Sequence, residues 1–405
     1  MDHELTDERG NRDEHDVDPR AVQTRGDLAT YLSASLPGDY TLVVGETEVR
    51  NVATHVKSYL IEAHAGSGRA VSDRLATVFD DVSQLADRTL LRVADGDLVF
   101  FLDAGHPRFQ VLHSTARSRE TDTTFRKLTE RDIVGFDHAW LPSSFLSWHR
   151  RGQLTGFKFR YETGVSGVAT RGADPETGEI LTEPLRARRF SMSVSEDASA
   201  EREYDNLIAA HAFEGRKALE QVQFRAVDAD IPGDFIVSSI YSYGKLVGKG
   251  TSIAGHLLTV AVVLEGYERV IRRIEEDFAL GWVPAHGGLV HHGEPFVFRF
   301  PPDVEIVDVA EFAGSLFSST KPFRLFGIPH NASERRVDVE AVDLHTGDPL
   351  SFEIGREWMR VYLPRGSCGN IVARLYANLQ HAMSAGVELS VGGATDPFGE
   401  VGSGV

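Results

Sequence analysis

Cys368 stands in a six-residue segment, Arg365-Gly366-Ser367-Cys368-Gly369-Asn370, between an extended run (MRVYLP) and a helix-forming one. A glycine-rich junction of this kind leaves backbone N–H groups unpaired at the positive end of a helix. Arg365, Gly366, Ser367, Gly369 and Asn370 are therefore a candidate anion site. The same position beside Arg365 would lower a thiol pKa, which makes Cys368 a candidate nucleophile. Its base has to come from elsewhere. His381 lies thirteen residues on, about 20 Å along a helix at ~1.5 Å per residue, and is out of reach. His345 and His291 remain for the fold to bring in. The competing reading is an ordinary β-to-α turn around a small buried cysteine.

Three other groupings could carry chemistry. His286, His291, His292 and Glu294 fall within nine residues and include metal-ligating types. On a hairpin, however, the adjacent His291 and His292 point to opposite faces, so no metal is expected there. Gly244–Ser252 (GKLVGKGTS) resembles a phosphate loop but misses the GxxxxGK[ST] spacing, and reads better as a hairpin followed by a capped helix. Lys158, Arg160, Arg188, Arg225, Arg299 and Arg324 all fall in extended runs. If they share one open sheet face, they could follow a phosphate backbone. The alternative is a solvated face whose cations pair with nearby acids. Asp137, His138 and Trp140 read as packing in a helix-to-helix turn, and Asp343, His345 and Asp348 flank a tight turn where a carboxylate–imidazole pair could form.

The elements that must position these residues alternate along the chain. Helices are expected at 27–36, 55–63, 70–91, 122–131, 143–151 and 200–213, with strands at 41–49, 156–162, 187–195 and 218–228. A hairpin is expected over 97–114 (LVFFLD, AGHP, RFQVLHS). From that hairpin to residue 228 the order is β-α-β-β-α-β, the ferredoxin-like plan, with insertions and an extra strand set against it. The second half restarts at 234 with a hairpin turning at Tyr243-Gly244. A long helix capped by Thr251 or Ser252 follows, with an apolar stripe through Val260, Tyr267 and Ile271. Then come a hairpin within 287–300, a helix at 309–318, a short strand at 323–326, three antiparallel strands at 336–344, 350–354 and 359–363, and a last helix at 370–383. The fold class is α+β: two halves of mixed or antiparallel sheet with packed helices. The expected divisions are a disordered acidic segment 1–26, domains 27–232 and 233–391, and a glycine-rich tail 392–405.

Composition narrows the function. Of 405 residues, 41% are hydrophobic, enough for a sizeable core, and the net charge is −18. That acidity works against bulk attraction to nucleic acid or anionic lipid, though a local basic patch escapes the argument. No apolar run reaches the roughly 18 residues a membrane helix needs, the N-terminus has no signal-peptide character, and one cysteine excludes an internal disulfide or a cysteine-based zinc cluster. A cytoplasmic location is expected, with no cofactor and no membrane partner. The leading reading is a binding protein that engages an anionic partner, nucleic acid or another protein, through the strand arginines or the 365–370 loop. The rivals are a hydrolase or transferase using Cys368 with nearby histidines, and a scaffold acting through its termini.

Overall fold

The computed structural model describes residues 17–36, 55–64, 70–130, 135–148, 153–173, 180–185, 189–195, 199–210, 214–227, 234–286, 288–319, 321–330 and 332–399. In chain order the first elements are α1 (Arg25–Ser33), β1 (Val56–Ala63), α2 (Val71–Leu75), β2 (Asp81–Gln84), β3 (Leu90–Asp95), β4 (Leu98–Asp103), β5 (Phe109–Ser114), α3 (Ser118–Thr129), β6 (Phe136–His138) and α4 (Ser143–Trp148). Then follow β7 (Gln153–Glu162), β8 (Val168–Ala173), β9 (Ile180–Pro184), β10 (Arg189–Val194), α5 (Ala200–Ala209), β11 (Leu219–Val227), β12 (Phe235–Tyr241), β13 (Lys245–Gly250) and α6 (Ile253–Arg273), which runs into a π-helical turn at Ile274–Phe278. The rest comprises β14 (Gly281–Ala285), β15 (Gly288–His292), β16 (Phe296–Arg299), β17 (Val304–Ile306), α7 (Val309–Leu316), β18 (Leu325–His330), β19 (Arg336–Asp343), β20 (Pro349–Gly355), β21 (Trp358–Tyr362), α8 (Asn370–Ala382), β22 (Glu388–Val391) and β23 (Ala394–Thr395).

The protein is α+β and its strand ladders are antiparallel. Among the described residues, eleven strands form one sheet in the order β10-β7-β11-β12-β13-β1-β5-β4-β3-β2, with β6 also paired to β1. Seven form a second sheet, β18-β19-β20-β21-β16-β22-β23, and smaller sheets are β14-β15 and β17-β8-β9. The β-α-β-β-α-β succession does not close into a ferredoxin-like unit, because β12, β13 and β1 stand between β11 and β5. The expected seam at 231–233 lies outside the described residues. The strands flanking it, β11 and β12, pair over seven registered positions, so a cut there divides a sheet. The main apolar core likewise draws on both halves, joining Leu60, Phe157 and Phe224 to Val263, Phe298 and Leu375.

Several local expectations are corrected. Residues 56–63 form a strand, not a helix. Every residue of β1 is buried and it pairs with β5 and β13 on its two edges, so it shows no period-two alternation to read. Over 70–91 the helix is confined to α2, and the chain then turns into β2 and β3, which is held in turn by β4. Thr121 is an interior residue of α3 rather than its cap, and residues 136–138 form a strand, not a helix-to-helix turn. The second-half hairpin is β14–β15, one strand earlier than expected, and β16 crosses to the seven-stranded sheet. Ordered structure starts before residue 27, where Thr24 and Asp27 make a capping box and Val22 is fully buried. It continues past 391, where Phe398 is fully buried and Asp396 accepts from the Tyr376 hydroxyl at 3.3 Å. The expected strand at 41–49 lies outside the described residues.

The two long helices position the centre of the molecule. Ser252 caps α6 by accepting from the Gly255 N–H, and its inner face presents Val260, Val263, Tyr267, Val270 and Ile271. Nearly the whole of α8 is enclosed. Its polar residues Asn370, Arg374 and Asn378 recur every four positions and so make one stripe. That stripe needs polar partners in the interior.

Candidate metal centre

The strand pair β1–β6 sets Glu62 directly opposite Asp137. Both carboxylates are buried, at 0% and 2% exposure, and like charges in a facing pair repel. The neighbouring elements supply the compensation. From the α8 stripe, Arg374 reaches Asp137 at 2.8 Å and also bonds Asp343. From the turn before β5, Arg108 donates to Glu62 at 2.6 Å and clamps Glu275. The Tyr267 hydroxyl of α6 lies 2.7 Å from Glu62 Oε2 and 2.7 Å from Asn370 Oδ1, and Asn370 donates to the His138 carbonyl at 3.0 Å.

Two histidines and the cysteine complete this centre. His64 follows the last residue of β1, tied by its N–H to the Gly135 carbonyl. His345 sits in the turn after β19, which Asp343 organises by accepting from the His345 and Thr346 N–H groups and the Thr346 hydroxyl. The His64 and His345 rings meet edge to face, 5.0 Å apart. Ligand atoms of His64, Asp137 and His345 lie within 4.8 Å of one another, as do those of Glu62, His64 and Cys368. His64 Nε2 and both ring nitrogens of His345 are buried without a hydrogen-bond partner. Burial pulls the His345 pKa down to about 4, so its ring is neutral at pH 7 and offers lone pairs. Burial alone would raise the Asp137 carboxyl, but the nearby His345 and Arg374 outweigh it and hold it well below the usual carboxylate range. Two imidazoles and a carboxylate are a donor set suited to zinc or iron(II), with coordination positions left open.

The sequence-predicted residues meet different fates. Cys368 and His345 converge on this centre through His64, whereas His291 stays on the β14–β15 hairpin. Burial and the adjacent Glu62 push the Cys368 thiol well up despite Arg108 at 3.5 Å, so the lowered thiol pKa expected of a nucleophile is not met. The 365–370 loop does gather anions, but they are the protein's own: Asp348 accepts from the Cys368 N–H at 2.8 Å and Glu275 from the Gly369 N–H at 2.6 Å. His286 and His291 are exposed, and His292 bonds the Glu276 carbonyl at 3.0 Å. Neither these histidines nor Glu294 belongs to a ligand cluster among the described residues. In the 244–252 segment, Lys245 is buried against Asp122 at 2.6 Å and Gly244 takes φ +77° in the hairpin turn.

The strand cations do not share a free face. Lys158 and Arg160 both pair with Glu220, at 2.6 and 2.9 Å. Arg225 covers the Phe235 ring at 4.4 Å, Arg299 belongs to the other large sheet, and Arg324 is buried in a turn where it donates to the Thr129 carbonyl. Arg188 lies outside the described residues. Sequence reasoning missed Glu62, His64 and Arg374, and gave Asp137 only a packing role. The usable signals were the Glu62-Ala63-His64 spacing and the four-residue polar stripe of α8.

Among the described residues, no helix is long and apolar enough to cross a membrane. No solved structure matches the chain. The chain is 26% identical over 396 residues to the uncharacterized protein MJECL33 of Methanocaldococcus jannaschii, covering 91% of this chain and 94% of that one. The family model for MJECL33-like proteins matches residues 18–398, nearly the whole length and including every residue of the centre, so the chain belongs to the MJECL33-like protein family.

Proposed function

We propose that this protein is a metal-dependent enzyme of hydrolytic type, its ion held by His64, Asp137 and His345. One observation carries the reading: His64 and His345 both hold buried ring nitrogens without partners, and one ligand atom of each lies within 4.8 Å of the other and of an Asp137 carboxylate oxygen. Ion pairing accounts for Asp137 beside Arg374, but it leaves His345 with two unsatisfied nitrogens in the interior, which buried polar groups rarely tolerate. A divalent ion would take the lone pair of one of them and offset the charge of the facing carboxylates. When bound, it would supply Lewis acidity and bring the pKa of a coordinated water down to about 7. Glu62, across the strand pair from Asp137, is placed to accept a proton. Cys368 is the further donor on its side of His64, and a coordinated thiol loses its proton.

The test is metal analysis of the purified chain, followed by titration of the metal-free protein with Zn²⁺, Mn²⁺ and Fe²⁺ under anaerobic conditions. The expected result is one ion per chain, tight binding, and affinity lowered at least about tenfold in His345→Ala and His64→Ala. Hydrolysis of p-nitrophenyl ester and phosphoester probes should depend on the same ion. Failure of all three ions to bind the wild-type chain would overturn the proposal.

A further inference from the structure

The hairpin β14–β15 is a two-stranded ribbon that joins no other sheet among the described residues. Its base is fixed to the core. The Leu280 N–H donates to the Leu363 carbonyl at 2.7 Å, the Arg365 N–H to the Leu280 carbonyl at 2.7 Å and the Glu294 N–H to the Phe278 carbonyl at 3.0 Å. Beyond that base, thirteen consecutive residues, 281–293, contain no Asp, Glu, Lys or Arg, in a chain that is 25% charged. The register sets Trp282 opposite His291 and Pro284 opposite Leu289 on one face, and Val283 opposite Val290 on the other. Trp282 is 66% exposed, Leu289 63% and Val290 48%, and the Trp282 and His291 rings meet edge to face at 5.8 Å. An isolated two-stranded ribbon is marginal in water, and apolar surface gathered in one exposed place marks a contact site.

Both faces of the ribbon carry apolar side chains, and that decides what covers it. A groove on another protein, or the same face of a second copy, would shelter one side and leave the other wet. A lipid interface surrounds both. The ribbon goes no deeper than that interface, because its two outer edges pair with no further strand among the described residues and hydrocarbon does not satisfy backbone N–H and C=O groups. Five residues per strand reach roughly 16 Å, and the amphipathic ring of Trp282 is of the kind that settles at headgroup level. The rim at the base carries both signs. Glu276, Asp277, Glu294 and Arg365 are exposed there, Arg273 stands 4.0 Å from Asp277, and the Arg365 side chain lies against Gly281. A mixed rim complements a headgroup that holds a phosphate and an ammonium together, and a quaternary ammonium also suits an indole face. The net charge of −18 opposes anionic lipid. The length criterion that excludes a membrane-spanning helix does not bear on a ribbon held at the surface. We propose that the β14–β15 hairpin docks this protein on a zwitterionic lipid surface of the phosphatidylcholine type. The proposal is independent of the metal reading.

Flotation of the wild-type chain with phosphatidylcholine vesicles tests it. The chain should rise with the vesicles, half of it bound at roughly 0.1–1 mM lipid, the scale of a single reversible anchor. Trp282→Ser combined with Leu289→Ser changes two exposed side chains, so the fold should persist by circular dichroism while vesicle binding weakens at least about tenfold. Raising the salt to about 0.5 M should change wild-type binding by less than about twofold, because the contact is apolar. Adding phosphatidylglycerol to the vesicles should not strengthen it. Wild-type chain that stays out of the vesicle layer, or a folded double variant that floats as well as wild type, would overturn the proposal. Binding that salt abolishes or that phosphatidylglycerol strengthens would overturn it as well. A dimer in sedimentation velocity that the two substitutions abolish, seen without vesicle binding, would assign the hairpin to a second copy instead.

Discussion

Replacing Arg374 by methionine removes one guanidinium and leaves two buried carboxylates without their cation. Arg374 is 1% exposed, and its partners Asp137 and Asp343 are 2% and 0% exposed. Methionine fills a comparable volume, so the cavity contribution is small and the charge effect dominates. Breaking a buried pair from one side costs about 3–5 kcal/mol, because the remaining charge stays desolvated. Two carboxylates share the loss here, which puts the expectation at the upper end of that range. It is a large part of a typical folding free energy of about 5–15 kcal/mol. The assay is urea unfolding followed by tryptophan fluorescence and circular dichroism at pH 7. Adding Asp137→Asn to the same background removes one of the stranded charges, and should restore roughly 1–2 kcal/mol. The comparison is Lys127→Met, whose ammonium meets Asp95 from a half-exposed position; it should change stability by no more than about 1 kcal/mol. An Arg374→Met loss below about 1 kcal/mol, or no recovery on adding Asp137→Asn, would refute the reasoning that this pair is dry and interdependent.

Two further outcomes follow from the packing and the buried histidines. Gly293 has φ +89°, and a Cβ there would sit 2.4 Å from the Ala279 carbonyl oxygen, so Gly293→Ala should cost about 2 kcal/mol or more in a thermal melt; Gly314→Ala, on a helical position with open space around it, should stabilise by about 0.5–1 kcal/mol, and the reverse order would be inconsistent with both. Ser58 Oγ lies 2.8 Å from His113 and 2.8 Å from His256, and burial lowers these histidines to about 4 and about 3. Their folded pKa values lie below the unfolded value of 6.5, so the unfolded chain takes up protons first: the stability they contribute is complete above pH 6.5 and is lost as pH falls toward 4, by up to about 1.4 kcal/mol per pH unit for each. His256→Gln should flatten that slope, and an unchanged slope would show that the titration lies elsewhere.

Local chemistry was legible where it is self-contained. The hairpin turning at Tyr243-Gly244, the serine cap of α6, the three strands β19–β21 and the start of α8 follow from turn formers, capping residues and periodicity within a dozen residues. The sequence also singled out Cys368, His345 and the 365–370 loop as the place to look, and these do border the polar centre. It could not supply their partners. Glu62 lies in, and His64 directly follows, a strand buried along its whole length, where the alternation that identifies a strand is absent. Arg374 stands in a helical run whose sequence does not mark it as enclosed on nearly every side.

The sequence by itself determined the α+β class, most second-half elements and the residue types available for chemistry, because each depends on short-range backbone preference. Only the tertiary structure decided which charges are spent and which nitrogens are left over. A strand arginine beside Glu220 is neutralised, a loop amide facing Asp348 is occupied, and a histidine 281 residues from its neighbour His64 is left with two bare nitrogens. Those outcomes depend on contacts between distant parts of the chain, and desolvation, which sets their energetic weight, exists only once the core has closed around them.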